Sequence, residues 1–289
     1  MTVYHAGPLK RHRATKEEMA ERANFLIAYA KTHSPVTVRQ LFYAATVANL
    51  PGIEKTEAGY CKVQAQVLNL RRSGKMPYHV IADATRFMRK PRTYDGWQSA
   101  LVATAQAYRK SLWVDTEEVV EVWLEKNALA GVISPVTNEY DVPLMATAGF
   151  TSETFAFEAV DDLRGQNKRL VIYSLYDFDR SGQSAEQSLR EKVYRFGAGF
   201  DVDIEFHSLA LNVHQVENWG LPARPHKRAT TADKAWPHSY AAELDAIPPD
   251  QLRDLVRGAI EHHISAHELE ALKQVEKLER KTLEDFIYQ

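Results

Sequence analysis

Arg39 and Tyr43 stand four residues apart in Thr37-Val38-Arg39-Gln40-Leu41-Phe42-Tyr43, a spacing that places a guanidinium and a phenol on one helical face. Such a phenol can attack phosphorus, with the arginine binding the non-bridging oxygens and favouring the phenolate. Three carboxylates offer complementary chemistry. Glu125 closes the apolar run Val122-Trp123-Leu124, and Asp177-Phe178-Asp179 follows the run that ends at Tyr176. In an extended chain the i, i+2 spacing aims both aspartates the same way. An acid at each of two apolar strand ends is costly unless the acids share a purpose. Oxygen ligands of this kind suit Mg²⁺, completed by phosphate oxygens, and Mn²⁺ fits the same set. The nucleophile stays open on this ground alone: water makes a nuclease, a side chain makes a transesterase, and a chain without catalysis is a DNA-binding module.

Helical periodicity supplies the elements that position these groups. A helix from Thr15 to Lys31 starts with Thr15 and Glu18 as a capping pair, and Thr37 caps a second helix. A third, from about Glu57 to Arg72, leaves Lys62, Arg71 and Arg72 outside. Tyr78 to Ala82 then predicts a short strand, and Arg86 to Arg92, with Arg89 at its centre, a basic wing. Three helices and a wing predict a winged-helix DNA-binding domain over residues 1–110, with the third helix as groove reader or, alternatively, a purely structural helix.

Beyond Lys110 the pattern alternates strand and helix, which predicts an α/β fold with a parallel sheet covered by helices over residues 111–289. Strands are expected at Val119–Leu124, Val142–Ala146, Arg169–Tyr176 and Val202–Leu209. The intervening helices begin near Asn127, with an interruption at Pro135, and span Ser152–Leu163 and Ser181–Phe196. In such sheets the working groups gather at the carboxyl ends of the strands. Arg224, Lys227 and Arg228 mark a basic, proline-rich segment read as either a DNA-facing loop or a disordered connection, and two helices close the chain. His262, His263 and His267 read as surface residues rather than zinc ligands.

The charge is divided. Residues 1–110 carry a net +11 and residues 111–289 a net −13, which together give −2 over 289 residues. A basic field of that size favours nucleic acid, because neutralising phosphates releases counterions, with a merely solvated basic surface as the alternative. Surplus carboxylates near a polyanion make sense where some hold cations. Cys61 is the single cysteine, which excludes an internal disulfide and a thiolate zinc cluster. The opening residues lack an apolar stretch and no run approaches a membrane span, so a cytoplasmic, membrane-free protein is expected.

These residues, in this order, resemble the A subunit of topoisomerase VI and the meiotic double-strand-break transesterases. Arg39-x-x-x-Tyr43, with Phe42 before the tyrosine, looks like that family's active-site helix. Glu125-Lys126 resembles the acidic strand end of its Toprim domain, Asp177-x-Asp179 with Gly182 its Asp-x-Asp…Gly, and Glu243-Leu244-Asp245-Ala246-Ile247-Pro248 its late acidic segment. The resemblance implies that Tyr43 forms a 5′-phosphotyrosyl bond and releases a 3′-hydroxyl. Glu125, Asp177 and Asp179 would hold Mg²⁺, with Glu125 serving as ligand or as acid and base at the 3′-oxygen. It also implies a homodimer in which one protomer's tyrosine meets its partner's metal site. The chain departs from the family in carrying Gly149-Phe150-Thr151-Ser152 where Gly-x-Pro-Asp is usual, and Arg180 where proline is usual. It contains no ATP-binding loop, so an ATPase B subunit is possible but not implied. In this it is most similar to the stand-alone Mini-A proteins of bacterial genomes and mobile elements.

Overall fold

The computed structural model describes residues 14–82, 91–147, 149, 151–226 and 236–287. Three amphipathic helices open it. α1 (Lys16–Thr32) and α2 (Val38–Val47) each begin in a capping box, Thr15 with Glu18 and Thr37 with Gln40, and Thr56 caps α3 (Glu57–Arg72). The caps satisfy N–H groups that a first helical turn leaves without partners. Inward residues such as Leu26, Leu41, Val63 and Val67 then meet in one apolar cluster.

The strand expected over residues 78–82 is instead a 3-10 turn at Tyr78–Val80. Only an isolated parallel bridge, Val36 with Ile81, forms there, and one bridge does not make a sheet. Most of the expected wing, Arg89 included, lies outside the described residues, and Pro91 and Arg92 have no regular structure. A fourth helix that periodicity did not single out, α4 (Trp97–Ala107), follows.

Strands and helices then alternate: β1 (Glu118–Leu124), α5 (Asn127–Glu139), β2 (Leu144–Ala146), α6 (Glu153–Asp161), β3 (Arg169–Leu175), α7 (Arg180–Phe200) and β4 (Ile204–Ala210). The four strands are parallel in the order β2-β1-β3-β4, so the expected mixed α/β class with a helix-covered parallel sheet is observed. After β4 come α8 (Val213–Asn218), a two-stranded ribbon of β5 (Arg224–Pro225) and β6 (Tyr240–Ala241), a 3-10 turn at Leu244–Ala246, α9 (Pro249–Glu261) and α10 (Ala266–Ile287). Lys227 and Arg228 lie outside the described residues.

Period-two alternation divides the core. Val120, Val122 and Leu124 of β1 with Val171 and Leu175 of β3 join a cluster that includes Val132 and Ile133 of α5 and Leu252 and Val256 of α9. Trp123, Leu170 and Ile172 point the other way, onto Ala156 and Val160 of α6 and Leu189 and Val193 of α7. Burial on both faces explains the nearly continuous apolar strands. The first cluster also holds Leu26, Phe42 and Tyr43, so apolar contact is continuous across residue 110. Pro135 does not interrupt α5 as expected. The buried Val132, Ile133 and Val136 around it anchor the helix strongly enough to outweigh the hydrogen bond that proline cannot donate. His263 also differs from its surface reading: its side chain is 10% exposed, with Nδ1 2.7 Å from Glu118 Oε2 and Nε2 2.7 Å from the Tyr173 hydroxyl. Among the described residues no helix is long and apolar enough to cross a membrane.

One buried acid in the sheet yields a test. Glu121 accepts a 2.6 Å hydrogen bond from Trp123 Nε1, yet burial pushes its carboxyl from 4.5 up to about 7. A carboxyl raised in the folded state favours folding while protonated, so its burden is absent below about 4.5, grows between the two values and is complete above about 7. Glu121→Gln is expected to raise stability at pH 8 by about 1–2 kcal/mol and to leave it unchanged at pH 4, read from denaturant midpoints.

Candidate functional site

The register of the sheet brings the strand-end acids together. Leu124 pairs with Leu175, the Glu125 N–H donates to Leu175 O at 2.9 Å, and the Asp177 N–H donates to Glu125 Oε2 at 2.8 Å. Glu125 is therefore clamped over the first residues beyond β3. Asp179 caps α7, its Oδ1 accepting from the Gly182 N–H at 2.9 Å. Gly182 is required by closeness, since a Cβ there would stand 2.5 Å from the Asp177 carbonyl oxygen.

A second acidic segment lies alongside. Phe178 and Ala242 form an isolated antiparallel bridge through reciprocal hydrogen bonds of 2.9 and 3.0 Å. Asp177 is thereby set beside Glu243, and the Leu244 N–H donates to Asp177 Oδ1 at 2.8 Å. Between the two segments sits the ammonium of Lys126, 2.9 Å from Asp177 Oδ2, 3.0 Å from Asp245 Oδ2 and 3.4 Å from Glu243 Oε2. Burial disfavours its charge, but Asp245, Asp177 and Glu243 reverse that and hold Lys126 protonated well above its usual range. Arg224 adds a second cation, 2.9 Å from Asp179 Oδ2 and 3.9 Å from Glu243 Oε1. The sequence reading of Arg224 as a DNA-facing residue thus meets a side chain already paired with two acids.

The N-terminal helices dock on this cluster. Thr37 donates to Asp245 Oδ1 at 3.1 Å, the Gln40 side chain donates to Ile247 O at 3.3 Å, and Arg39 Nη1 lies 3.3 Å from Glu243 Oε2. The Arg39 guanidinium stacks 4.5 Å over the ring of Tyr60. A cleft of about 690 Å³ runs from Lys126, Asp177, Glu243 and Asp245 past Arg39 and Tyr60 to Arg71. Arg71 stacks 4.3 Å over the ring of Tyr78. Of the other residues expected to meet DNA, Arg72 is exposed at the end of α3 and Lys62 donates to Gly52 O at 2.8 Å.

Tyr43 is 5% exposed. Burial first, and then the charge of Glu243, push its hydroxyl above the usual phenol range, while Arg39 and Lys126 oppose this only in part. The expectation that Arg39 favours the phenolate holds in sign, but burial outweighs it. The Lys55 ammonium lies 5.5 Å from the centre of the Tyr43 ring and hydrogen-bonds the Ala223 carbonyl. Burial lowers Lys55 to about 8.

The expected acids divide into two roles. Glu125 and Asp177 adjoin directly, while Asp179 turns to its helix cap and to Arg224. Burial first, and then the charges of Asp177 and Asp179, raise Glu125 to about 7. That mutual repulsion is what a divalent cation would relieve, and the all-oxygen set fits Mg²⁺ or Mn²⁺. Among the described residues no three such side chains are already grouped as a metal site. Sequence reasoning assigned no role of their own to Lys126, Lys55, Tyr60 and Asp245. The signal within the chain was Glu243-Leu244-Asp245, a second i, i+2 acid pair around an apolar residue, with a lysine directly after a strand-end acid. No protein-family model matches the chain, and no curated protein matches it either.

Replacing Lys126 by methionine leaves its three carboxylates facing one another without their cation. Lys126→Met is expected to cost about 3–5 kcal/mol at pH 8. The loss should shrink as pH falls and the acids protonate, which denaturant unfolding at pH 8 and pH 5 would show.

Proposed function

We propose that this chain is a divalent-metal-dependent DNA transesterase: Tyr43 attacks the backbone of double-stranded DNA and becomes joined to a 5′-phosphate. The observation that carries the reading is the docking of the Arg39–Tyr43 helix onto the strand-end acids, with Arg39 3.3 Å from Glu243 and Lys126 bridging Glu243 to Asp177. On this reading the front helices are a winged-helix domain and the parallel sheet is a Toprim domain. A second copy of the chain supplies the cut on the other strand, and no ATPase partner is required for cleavage. Because α2 docks on the acids of its own chain, each copy's Tyr43 serves its own metal site and not, as the resemblance implies, its partner's.

The residues divide the work. Arg39 and Arg71 line the cleft and bind non-bridging phosphate oxygens. Glu125, Asp177 and Asp179 would hold the cation, whose chemistry would be to polarise the phosphate. The Tyr43 oxygen bonds to phosphorus as the P–O3′ bond breaks. The phenol proton passes to the neutral fraction of Lys55, and the departing 3′-oxygen takes a proton from water. Because Tyr43 is 5% exposed, attack requires the phenol to turn out of its packing, and DNA seated in the cleft must drive that motion. The phosphotyrosyl bond conserves the energy of the broken linkage, so religation needs no ATP.

The same burial favours a second reading, a metal-dependent nuclease in which water attacks and Tyr43 only packs. Labelled duplex DNA incubated with Mg²⁺ and resolved on denaturing gels separates the two. Transesterification predicts a protein–DNA adduct that Tyr43→Phe and Asp177→Asn each reduce by about 10³-fold or more. Cutting by Tyr43→Phe at the wild-type rate, with no adduct from either protein, establishes the nuclease instead.

The pH profile checks the proton acceptor. Lys55 is increasingly neutral as pH rises through about 8, so adduct formation should rise through that range. Lys55→Met should flatten the rise, as single-turnover rates between pH 6.5 and 9 would show.

A further inference from the structure

The two carboxylate oxygens of Asp177 are both engaged. Oδ1 accepts the Leu244 N–H at 2.8 Å, and Oδ2 lies 2.9 Å from the Lys126 ammonium. The first of these is fixed by the backbone that joins the two acidic segments. The oxygen of Asp177 not tied to the backbone is therefore Oδ2, the one that Lys126 holds, and a divalent cation binding there competes with the ammonium. A doubly charged ion on the same oxygen as an ammonium is repelled by it, and partial burial leaves that repulsion poorly screened. Lys126 has somewhere to go, because its side chain is 24% exposed and lines the open cleft. Asp245 and Glu243, 3.0 and 3.4 Å from the same nitrogen, keep it tethered near the position it leaves.

We infer that Lys126 is a built-in competitor of the metal at Asp177, so that metal entry and release of its ammonium toward the cleft are one event. The inference rests on the reading that Asp177 is a metal ligand. It assigns Lys126 two successive charges to neutralise: the acids while no metal is bound, and the phosphate of the substrate afterwards. It also explains why an ammonium stands at the end of a strand where the proposed function needs a divalent cation. With Lys126 on Asp177 the acids stay compatible with folding, and the metal has to displace it.

The test is metal binding rather than turnover. Calorimetric titration with Mn²⁺ should show Lys126→Gln binding at least about tenfold more tightly than wild type, with a larger rise in Tm on adding the metal. Unchanged or weaker binding by Lys126→Gln, alongside wild-type binding that Asp177→Asn removes, would overturn the inference and leave the metal reading standing. Absence of Mn²⁺ binding to wild type at millimolar concentration would overturn both. Should Lys126→Gln not fold, wild type labelled with ¹⁵N-lysine decides the matter, with Lys126→Arg used to assign its ammonium signal. That signal should move during a Mg²⁺ titration with the midpoint measured by calorimetry, and a signal that stays fixed as Mg²⁺ saturates refutes the displacement.

Discussion

The site depends on one ammonium ion. Lys126 follows Glu125, the acid just beyond β1, and its nitrogen meets Asp177 beyond β3 and Glu243 and Asp245 beyond β6. Carboxylates from segments this distant in sequence repel one another at close quarters, and partial exclusion of water strengthens the repulsion. A single cation between them turns that repulsion into a fastening. The N-terminal helices use the same point, since Thr37 caps α2 while donating to Asp245 and Arg39 reaches Glu243. Positioning of α2 against the sheet and balancing of charge in the cleft are therefore one arrangement, and a change to Lys126 is felt by both.

Backbone geometry makes the arrangement possible. The parallel register of β1 and β3 lets Glu125 receive the Asp177 N–H. The Phe178–Ala242 bridge lays the late acidic segment beside it, and α7 starts so tightly against Asp177 that only a glycine fits at residue 182. Phe178 itself turns away from the acids into a group of rings with Trp236, His238 and Tyr240 at centroid distances of 4.9–5.8 Å. Its apolar anchorage fixes the chain between two acids that would otherwise prefer water. This fits the general placement of functional groups at the carboxyl ends of parallel strands.

The sheet was legible because burial on both faces writes long apolar runs at strand length, and the acids were legible because they interrupt those runs. The chemistry of Tyr43 was less so. Spacing places its ring beside Arg39, but only tertiary packing determines that burial outweighs the guanidinium. The second acid pair, Glu243 and Asp245, carries the same i, i+2 signature as Asp177 and Asp179, yet no periodicity says that distant segments pair through Phe178 and Ala242. Pro135 misled because local backbone preference is a small term beside the burial of Val132, Ile133 and Val136. The strand expected at residues 78–82 failed because a β-prone segment without a partner strand gains little from extension.

Charge in the cleft argues for a mobile cation on grounds independent of any resemblance. Glu125, Asp177, Asp179, Glu243 and Asp245 stand with Lys126, Arg39, Arg224 and Arg71 in and around the cleft, which leaves a net −1 when every group is ionised. Burial and its acidic neighbours raise Glu125 to about 7, so near neutrality a proton offsets part of that excess. A phosphodiester entering the same space brings one further negative charge, and at an effective dielectric constant of about 20 each unit charge about 4 Å away contributes roughly 4 kcal/mol of repulsion. Arg39 and Arg224 offset it only in part, each being shared with an acid, while Arg71 in the same cleft stacks on the ring of Tyr78. On the proposed reading one divalent ion would more than offset that excess, and a Lys126 ammonium released into the cleft would then face the phosphate. The acid excess therefore disfavours a polyanion arriving alone, and on the proposed reading a metal bound by the acids would lower that barrier.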